Sequence, residues 1–137
     1  MNRHEIGFKG ICLRAAEEGD GRTLEGIAVP FGSIIDTWKG AETFDPDCRF
    51  DDVDNAKLCY QHGELIGRIT GAESRNDGLH ITARISDTQR GRDVVALLRD
   101  GALDSLSVGF IPVQDETDKQ GITHRKRVRL LETSVVS

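Results

Sequence analysis

The sequence lacks long hydrophobic runs. None of its apolar segments approaches the roughly 18 residues that a membrane-spanning helix requires, and the first ten residues, MNRHEIGFKG, lack the apolar stretch of a secretory signal. Cysteine is scarce, and the spacing of Cys12, Cys48 and Cys59 matches neither a zinc site nor a disulfide framework. We therefore expect a soluble protein in a reducing, intracellular compartment, with no membrane partner, no metal and no cofactor.

Positive charge is also in short supply. The 18 Lys and Arg residues are outnumbered by 23 Asp and Glu residues, so the net charge is −5. This balance argues against nucleic acid as the main partner, because phosphate recognition depends on a basic surface. One basic cluster, residues 124–127 together with Arg129, is expected to be the solvated end of a strand.

The length and composition indicate one globular domain. The 137 residues are 37% hydrophobic and 30% charged, which is an ordinary globular balance rather than a disordered one. A chain of this length buries one core and has little room for a second. We therefore expect a single domain over residues 1–137.

Most apolar residues follow a strand period. Alternating segments bounded by turn residues predict about seven strands. One or more helices are predicted, and the clearest is capped by Asp87 or Thr88 and ended by Gly101. Because hairpin turns join most neighbouring strands, we expect a mainly β (α+β) fold with an antiparallel closed or nearly closed β-barrel. The predicted strands are 5–15, 23–31, 56–61, 66–74, 79–85, 104–112 and 122–136.

Residues 32–54 show no sustained period. This segment contains Pro46 and several aspartates, which favour a loop. A loop of this length in a compact domain is usually functional or mobile. We therefore expect a functional or mobile loop with room for a short helix, and a mobile flap is one hypothesis for it.

A strand with a serine on its polar face is the first candidate for chemistry. In residues 104–110, Ser105, Ser107 and Gly109 share one face and the apolar residues share the other. A serine needs a base, and of the four histidines His62 is favoured because it ends an apolar strand at a turn. The residue pattern alone also fits an ordinary surface serine.

Two further residues are candidates for the same site. Glu132 is predicted to share a face with Leu130, where an unpaired carboxylate is costly to bury, so it either points to solvent or has a partner such as a histidine. Cys59, three residues before His62, is an alternative nucleophile that the pattern leaves open.

Several segments together carry a family resemblance. They are EGIAVPFG at 25–32, LCYQH at 58–62, Ile66-Gly67, the Gly78-Leu79 strand start, the paired leucines Leu97-Leu98 of the predicted helix, LRDGALDSLSVGF at 98–110 and LLETSVV at 130–136. From about residue 7 to residue 137 the chain resembles the prohead (capsid maturation) serine proteases of tailed bacteriophages, whose fold is similar to that of herpesvirus assemblins. It departs from that pattern at Gly63, where the family often has aspartate, and in stopping at Ser137, where the family usually continues with a C-terminal tail.

The resemblance implies a function and a set of site residues. It implies the catalytic residues Ser107 (rather than Ser105), His62 and Glu132. The implied protein is a serine endopeptidase that cleaves the scaffold region of the phage major capsid protein, and itself, inside the assembling procapsid in the bacterial host cytoplasm. A homodimer is expected by analogy with the assemblins. The alternative is a non-catalytic capsid assembly or scaffolding protein that retains the barrel.

Overall fold

The computed structural model of the chain describes residues 3–8, 14–15 and 21–137. The described residues form ten strands, one α-helix and one 3₁₀ turn. The strands are β1 His4–Phe8, β2 Arg14–Ala15, β3 Thr23–Pro30, β4 Ile35–Thr37, β5 Gly40–Asp51, β6 Lys57–Tyr60, β7 Glu64–Arg75, β8 Gly78–Ile85, β9 Ser105–Thr117 and β10 Thr123–Val136; the helix is α1 Gln89–Arg99 and the 3₁₀ turn is Val53–Asn55.

Seven strands follow one another in a curled sheet that forms a half-barrel. Their order is β1–β9–β10–β6–β7–β8–β3, and β2 adds two residues beside β3. Strand β5 pairs with the first part of β10, and β4 pairs with β5. The predictions of a mainly β fold, about seven strands in the curled sheet and one α-helix are confirmed.

Two predictions about the barrel are wrong. Strand β10 pairs in parallel with both β5 and β6, so the sheet is mixed rather than antiparallel. Within the described ranges no hydrogen-bonded ladder joins β1 to β2 or β3, so the half-barrel is open rather than closed. The parallel pairs arise because β5 and β6 run one after the other along the same side of β10, joined by the 3₁₀ turn.

The prediction of a loop at residues 32–54 is also wrong. Most of it is β5, a twelve-residue strand, preceded by the short β4. The side chain of Phe44 in β5 is fully buried, with its ring edge-on to the ring of Phe110 at 5.3 Å between centroids. The segment therefore belongs to the sheet and the core, which removes the basis for interpreting it as a flap.

The buried apolar side chains form one core cluster, to which both the sheet and α1 contribute. Strand alternation is as predicted in β9, where Leu106, Val108 and Phe110 are fully buried. Helix α1 begins as predicted, with the Thr88 side chain accepting a hydrogen bond from the backbone N–H of Gly91. This helix is neither long nor apolar enough to cross a membrane.

Candidate active site

Ser107 lies on the face of β9 that points away from the core. Its neighbours Leu106 and Val108 point into the core, as the strand period requires. Ser107 itself is only 3% exposed, so it is not a surface serine. Across the two neighbouring strands it is opposite Gly7 of β1 and Ser134 of β10.

A β-bulge in β10 brings Glu132 to the same face. The pairing of β10 with β9 shifts between Leu130, opposite Phe110, and Glu132, opposite Gly109, so Leu131 has no partner. One extra residue reverses the alternation. Leu130 therefore packs in the core, while Glu132 faces the site that contains Ser107. The prediction that Glu132 shares a face with Leu130 is wrong for this reason.

His62 lies in the tight turn that joins β6 to β7. The backbone N–H of Gly63 donates to the carbonyl of Tyr60, and Gln61 and His62 have positive φ angles of 52° and 61°. Turns with two such residues usually contain Asn or Gly. Holding other residues there costs about 1–2 kcal/mol each, and such strain is typical of functional sites.

The structure brings the three predicted side chains into one hydrogen-bonded line. His62 Nε2 lies 2.7 Å from Ser107 Oγ, and His62 Nδ1 lies 2.6 Å from Glu132 Oε1. An ionised carboxylate only accepts hydrogen bonds. Nδ1 therefore donates to Glu132, and Nε2 of the neutral ring is left to accept the hydroxyl proton of Ser107. This arrangement can activate the serine as a nucleophile.

The site is shielded from water to different degrees along this line. The Glu132 side chain is 5% exposed and that of His62 is 20% exposed. Burial makes an unpaired carboxylate costly, so the hydrogen bonds of Glu132 stabilise its charge in place. The His62 side chain remains partly accessible, as a group that exchanges protons with a substrate must be.

Three residues that the sequence did not indicate also contact this line. The Ser134 hydroxyl donates to Glu132 Oε2 at 2.7 Å and accepts from the backbone N–H of His62 at 3.0 Å. Arg3 Nη2 donates to Glu132 Oε1 at 2.8 Å, and Glu5 Oε2 lies 3.9 Å from His62 Nε2. The contacts with His62 and with the β1 segment follow from the pairing of β10 with β6 and of β1 with β9, which no local pattern indicates.

The thiol of Cys59 is not activated as a nucleophile. It lies on β6 opposite Ser134, so it is near the site. Burial and the charge of Glu132 raise the pKa of its thiol, whereas the nucleophile in cysteine hydrolases is the thiolate. The predicted alternative based on Cys59 therefore loses its chemical support.

The other described histidines lie in different surroundings. His80 contacts Asp77, and His124 contacts Asp45 and Asp118. His4 lies beside the ring of Phe110, and burial together with the charge of Arg125 lowers its pKa. Within the described part of the chain, no His, Cys, Asp and Glu side chains are grouped so as to hold a metal ion.

The predicted basic cluster is not a free cationic surface. Arg125 is 5% exposed, so the prediction of a solvated strand end is wrong for this residue. The cations of the cluster are all paired with carboxylates. The pairs are Arg125 with Glu42 and Asp115, Lys126 with Asp45, Arg127 with Asp51, and Arg129 with Asp52.

Known proteins resemble this chain in fold and in sequence. The solved structure of the bacteriophage T4 capsid assembly protease, gp21, has a TM-score of 0.62 and 10% identity, with 99% of this chain and 98% of that chain covered. At this identity the likeness shows the fold. No match was found among curated proteins. The sequence profile of the caudovirus prohead serine proteases matches residues 10–137. The chain therefore belongs to the caudovirus prohead serine protease family.

Proposed function

We propose that this chain is a serine endopeptidase with Ser107 as nucleophile, His62 as general base and Glu132 as the acidic partner of His62. The observation that carries the proposal is the unbroken line from Ser107 Oγ through both ring nitrogens of His62 to Glu132 Oε1, with distances of 2.7 Å and 2.6 Å. Family membership supports the reaction class.

The reaction follows from this line. His62 Nε2 takes the hydroxyl proton as Ser107 Oγ bonds to the carbonyl carbon of the substrate. The tetrahedral intermediate then breaks its C–N bond, and His62 returns the proton to the leaving amine. A water molecule, deprotonated by His62, attacks the acyl-serine ester, and the acid product leaves as the Ser107 hydroxyl is restored.

Glu132 acts on the base rather than on the substrate. By accepting the hydrogen bond of Nδ1–H, it keeps the lone pair of Nε2 directed at Ser107. It also stabilises the imidazolium that forms when His62 takes the proton. Its burial strengthens both effects, because the interaction is poorly screened by water.

The proposed substrates come from the family. We infer that the chain cuts the scaffold region of the phage major capsid protein, and itself, inside the assembling procapsid in the bacterial host cytoplasm. A homodimer stays a prediction. The role in capsid maturation is supported by the family profile, which is that of prohead serine proteases.

The test compares two buried serines on one strand. Ser107→Ala removes the proposed nucleophile, while Ser105→Ala removes a hydroxyl that bonds only to Asp104 Oδ1 at 2.9 Å in the described structure. With the cognate capsid protein as substrate, we expect Ser107→Ala to lower cleavage at least about 10³-fold. The Ser105→Ala variant should cleave at nearly the wild-type rate.

A serine-directed phosphonate provides a second readout. Mass spectrometry should place the label on Ser107 in the wild-type chain and find none in the Ser107→Ala variant. Unchanged cleavage by a folded Ser107→Ala variant would show that the nucleophile is another residue. A wild-type chain that neither cleaves nor takes the label would favour the alternative of a non-catalytic capsid assembly or scaffolding protein.

A further inference from the structure

The Ser134 hydroxyl forms hydrogen bonds to both Glu132 and His62, the residues that are proposed to activate Ser107. It donates to Glu132 Oε2 at 2.7 Å and accepts from the backbone N–H of His62 at 3.0 Å. Ser134 is fully buried, so water cannot replace either bond without a cavity. It lies opposite Ser107 on the neighbouring strand, yet its hydrogen bonds are to the acid and the base.

We propose that Ser134 is a positioning residue that aligns Glu132 with His62. This inference rests on the proposed function, in which Glu132 and His62 act on Ser107. By holding Oε2, Ser134 fixes the rotation of the carboxylate and leaves Oε1 directed at His62 Nδ1. By accepting the His62 N–H, it also restrains the strained turn that carries the imidazole.

The adjacent residue shows that a buried hydroxyl here need not have this role. Thr133 is also fully buried, and its Oγ1 has no hydrogen-bond partner in the described structure. It points to the opposite face of β10, because successive strand residues alternate. Thr133→Val keeps the shape of the side chain and removes only the hydroxyl. It is therefore the matched control for Ser134→Ala.

Loss of the Ser134 hydroxyl should change which nitrogen of neutral His62 carries the proton. A fixed Glu132 favours the Nδ1–H tautomer, the form whose Nε2 can accept the serine proton. Once Glu132 Oε2 and the His62 N–H each lose a partner, both groups move to find new ones. The preference for Nδ1–H then weakens, and a smaller fraction of the enzyme holds a competent base.

The first measurement does not depend on activity. In the full chain with Ser107→Ala as a common background, ¹⁵N NMR of the His62 ring reports the tautomer ratio. We expect Ser134→Ala to lower the ratio of Nδ1–H to Nε2–H by about fivefold or more, and Thr133→Val to leave it unchanged. An unchanged ratio in Ser134→Ala overturns the inference. If the alanine variant does not fold, Ser134→Cys, a similar-sized side chain with a weak donor, takes its place.

The second measurement is kinetic, with Ser107 present and the cognate capsid protein as substrate. We expect Ser134→Ala to lower kcat by about 10- to 100-fold and to leave KM within about twofold, since a buried residue beneath the acid does not touch substrate. Ser134→Thr, which keeps a hydroxyl, should recover part of the loss if it folds. A loss confined to thermal stability, with wild-type kcat, indicates a purely structural serine and overturns the inference.

The two measurements separate this inference from the proposed function. Full cleavage by Ser107→Ala would make the proposed nucleophile wrong, but the His62 tautomer ratio would still decide whether Ser134 aligns the pair. Conversely, an inactive Ser107→Ala variant together with an unchanged tautomer ratio in Ser134→Ala would retain the proposed nucleophile and remove the role of Ser134.

Discussion

Gly109 leaves the space that Glu132 occupies. The two residues are directly opposite each other on β9 and β10. A Cβ atom at position 109 would lie 2.5 Å from Glu132 Oε1 and 2.8 Å from Arg3 Nη2, closer than real Cβ atoms approach. Because Ser134 holds the other carboxylate oxygen, Glu132 cannot move aside without losing a hydrogen bond.

If Glu132 has its proposed role, Gly109→Ala should impair catalysis more than folding. We expect cleavage of the capsid protein to fall by about 10²-fold, the scale of effect for a displacement of about 1 Å in a catalytic group. Gly71→Ala in β7 is the control, because its Cβ would have only ordinary contacts, the nearest at 3.8 Å. Circular dichroism checks that the variant folds. A cleavage rate for Gly109→Ala within threefold of wild type, a change of about 0.7 kcal/mol in activation free energy, contradicts the prediction.

The sequence predicted these residues to different extents. The segment resemblance selected Ser107 and His62, and the structure places them within hydrogen-bonding distance. The face of Glu132 was predicted wrongly because a bulge at Leu131 leaves no local trace in an alternating sequence. Ser134 lies in the segment LLETSVV, which carries part of the resemblance, but its contact with His62 depends on where the His62 turn packs.

At the scale of elements, β5 shows why long-range pairing was missed. It pairs in parallel with β10, whose partner residues lie about 80 positions further along the chain. Turn residues indicate hairpins between consecutive strands, but they give no information about pairs of strands that lie far apart in the sequence. The aspartates and Pro46 of β5 suggested a loop, but Phe44 and Cys48 in the same strand are buried.

Phe44→Ala tests whether β5 is part of the core. Truncation of a fully buried Phe leaves a cavity, and we expect the free energy of unfolding to fall by about 3–5 kcal/mol. Trp38→Ala, in the turn between β4 and β5, removes a side chain from a residue that is 89% exposed and should change it by less than about 0.5 kcal/mol. Urea titration followed by circular dichroism measures both. A loss below about 1 kcal/mol for Phe44→Ala would mean that the segment does not pack as a core strand.

At the scale of the whole molecule, ion pairs connect the start of β10 to the turn before it and to the distant strand β5. His124 lies between Asp118, in the turn before β10, and Asp45 of β5, at 2.9 Å and 3.1 Å. Its hydrogen bonds to both carboxylates raise the pKa of His124, and the bond to Asp118 has the larger effect. The hydrogen bond from His124 also lowers the pKa of Asp118, so this carboxylate stays ionised through the neutral range.

The raised pKa of His124 predicts the sign of a pH effect on stability. A histidine that binds its proton more tightly when folded stabilises the fold fully below its unfolded pKa of about 6.5. That contribution is lost as the pH rises through the higher pKa of the folded state.

The Tm of the wild-type chain minus that of His124→Asn should therefore be constant between about pH 5 and 6 and decrease above about pH 6.5. Taking the difference removes the opposite effect of His4, whose pKa is lowered by burial, because His124 is not among the groups that shift it. In an Asp118→Asn background this decrease in the Tm difference should be smaller, because the principal partner of His124 is gone. A Tm difference that instead grows above pH 6.5 would contradict a raised pKa for His124.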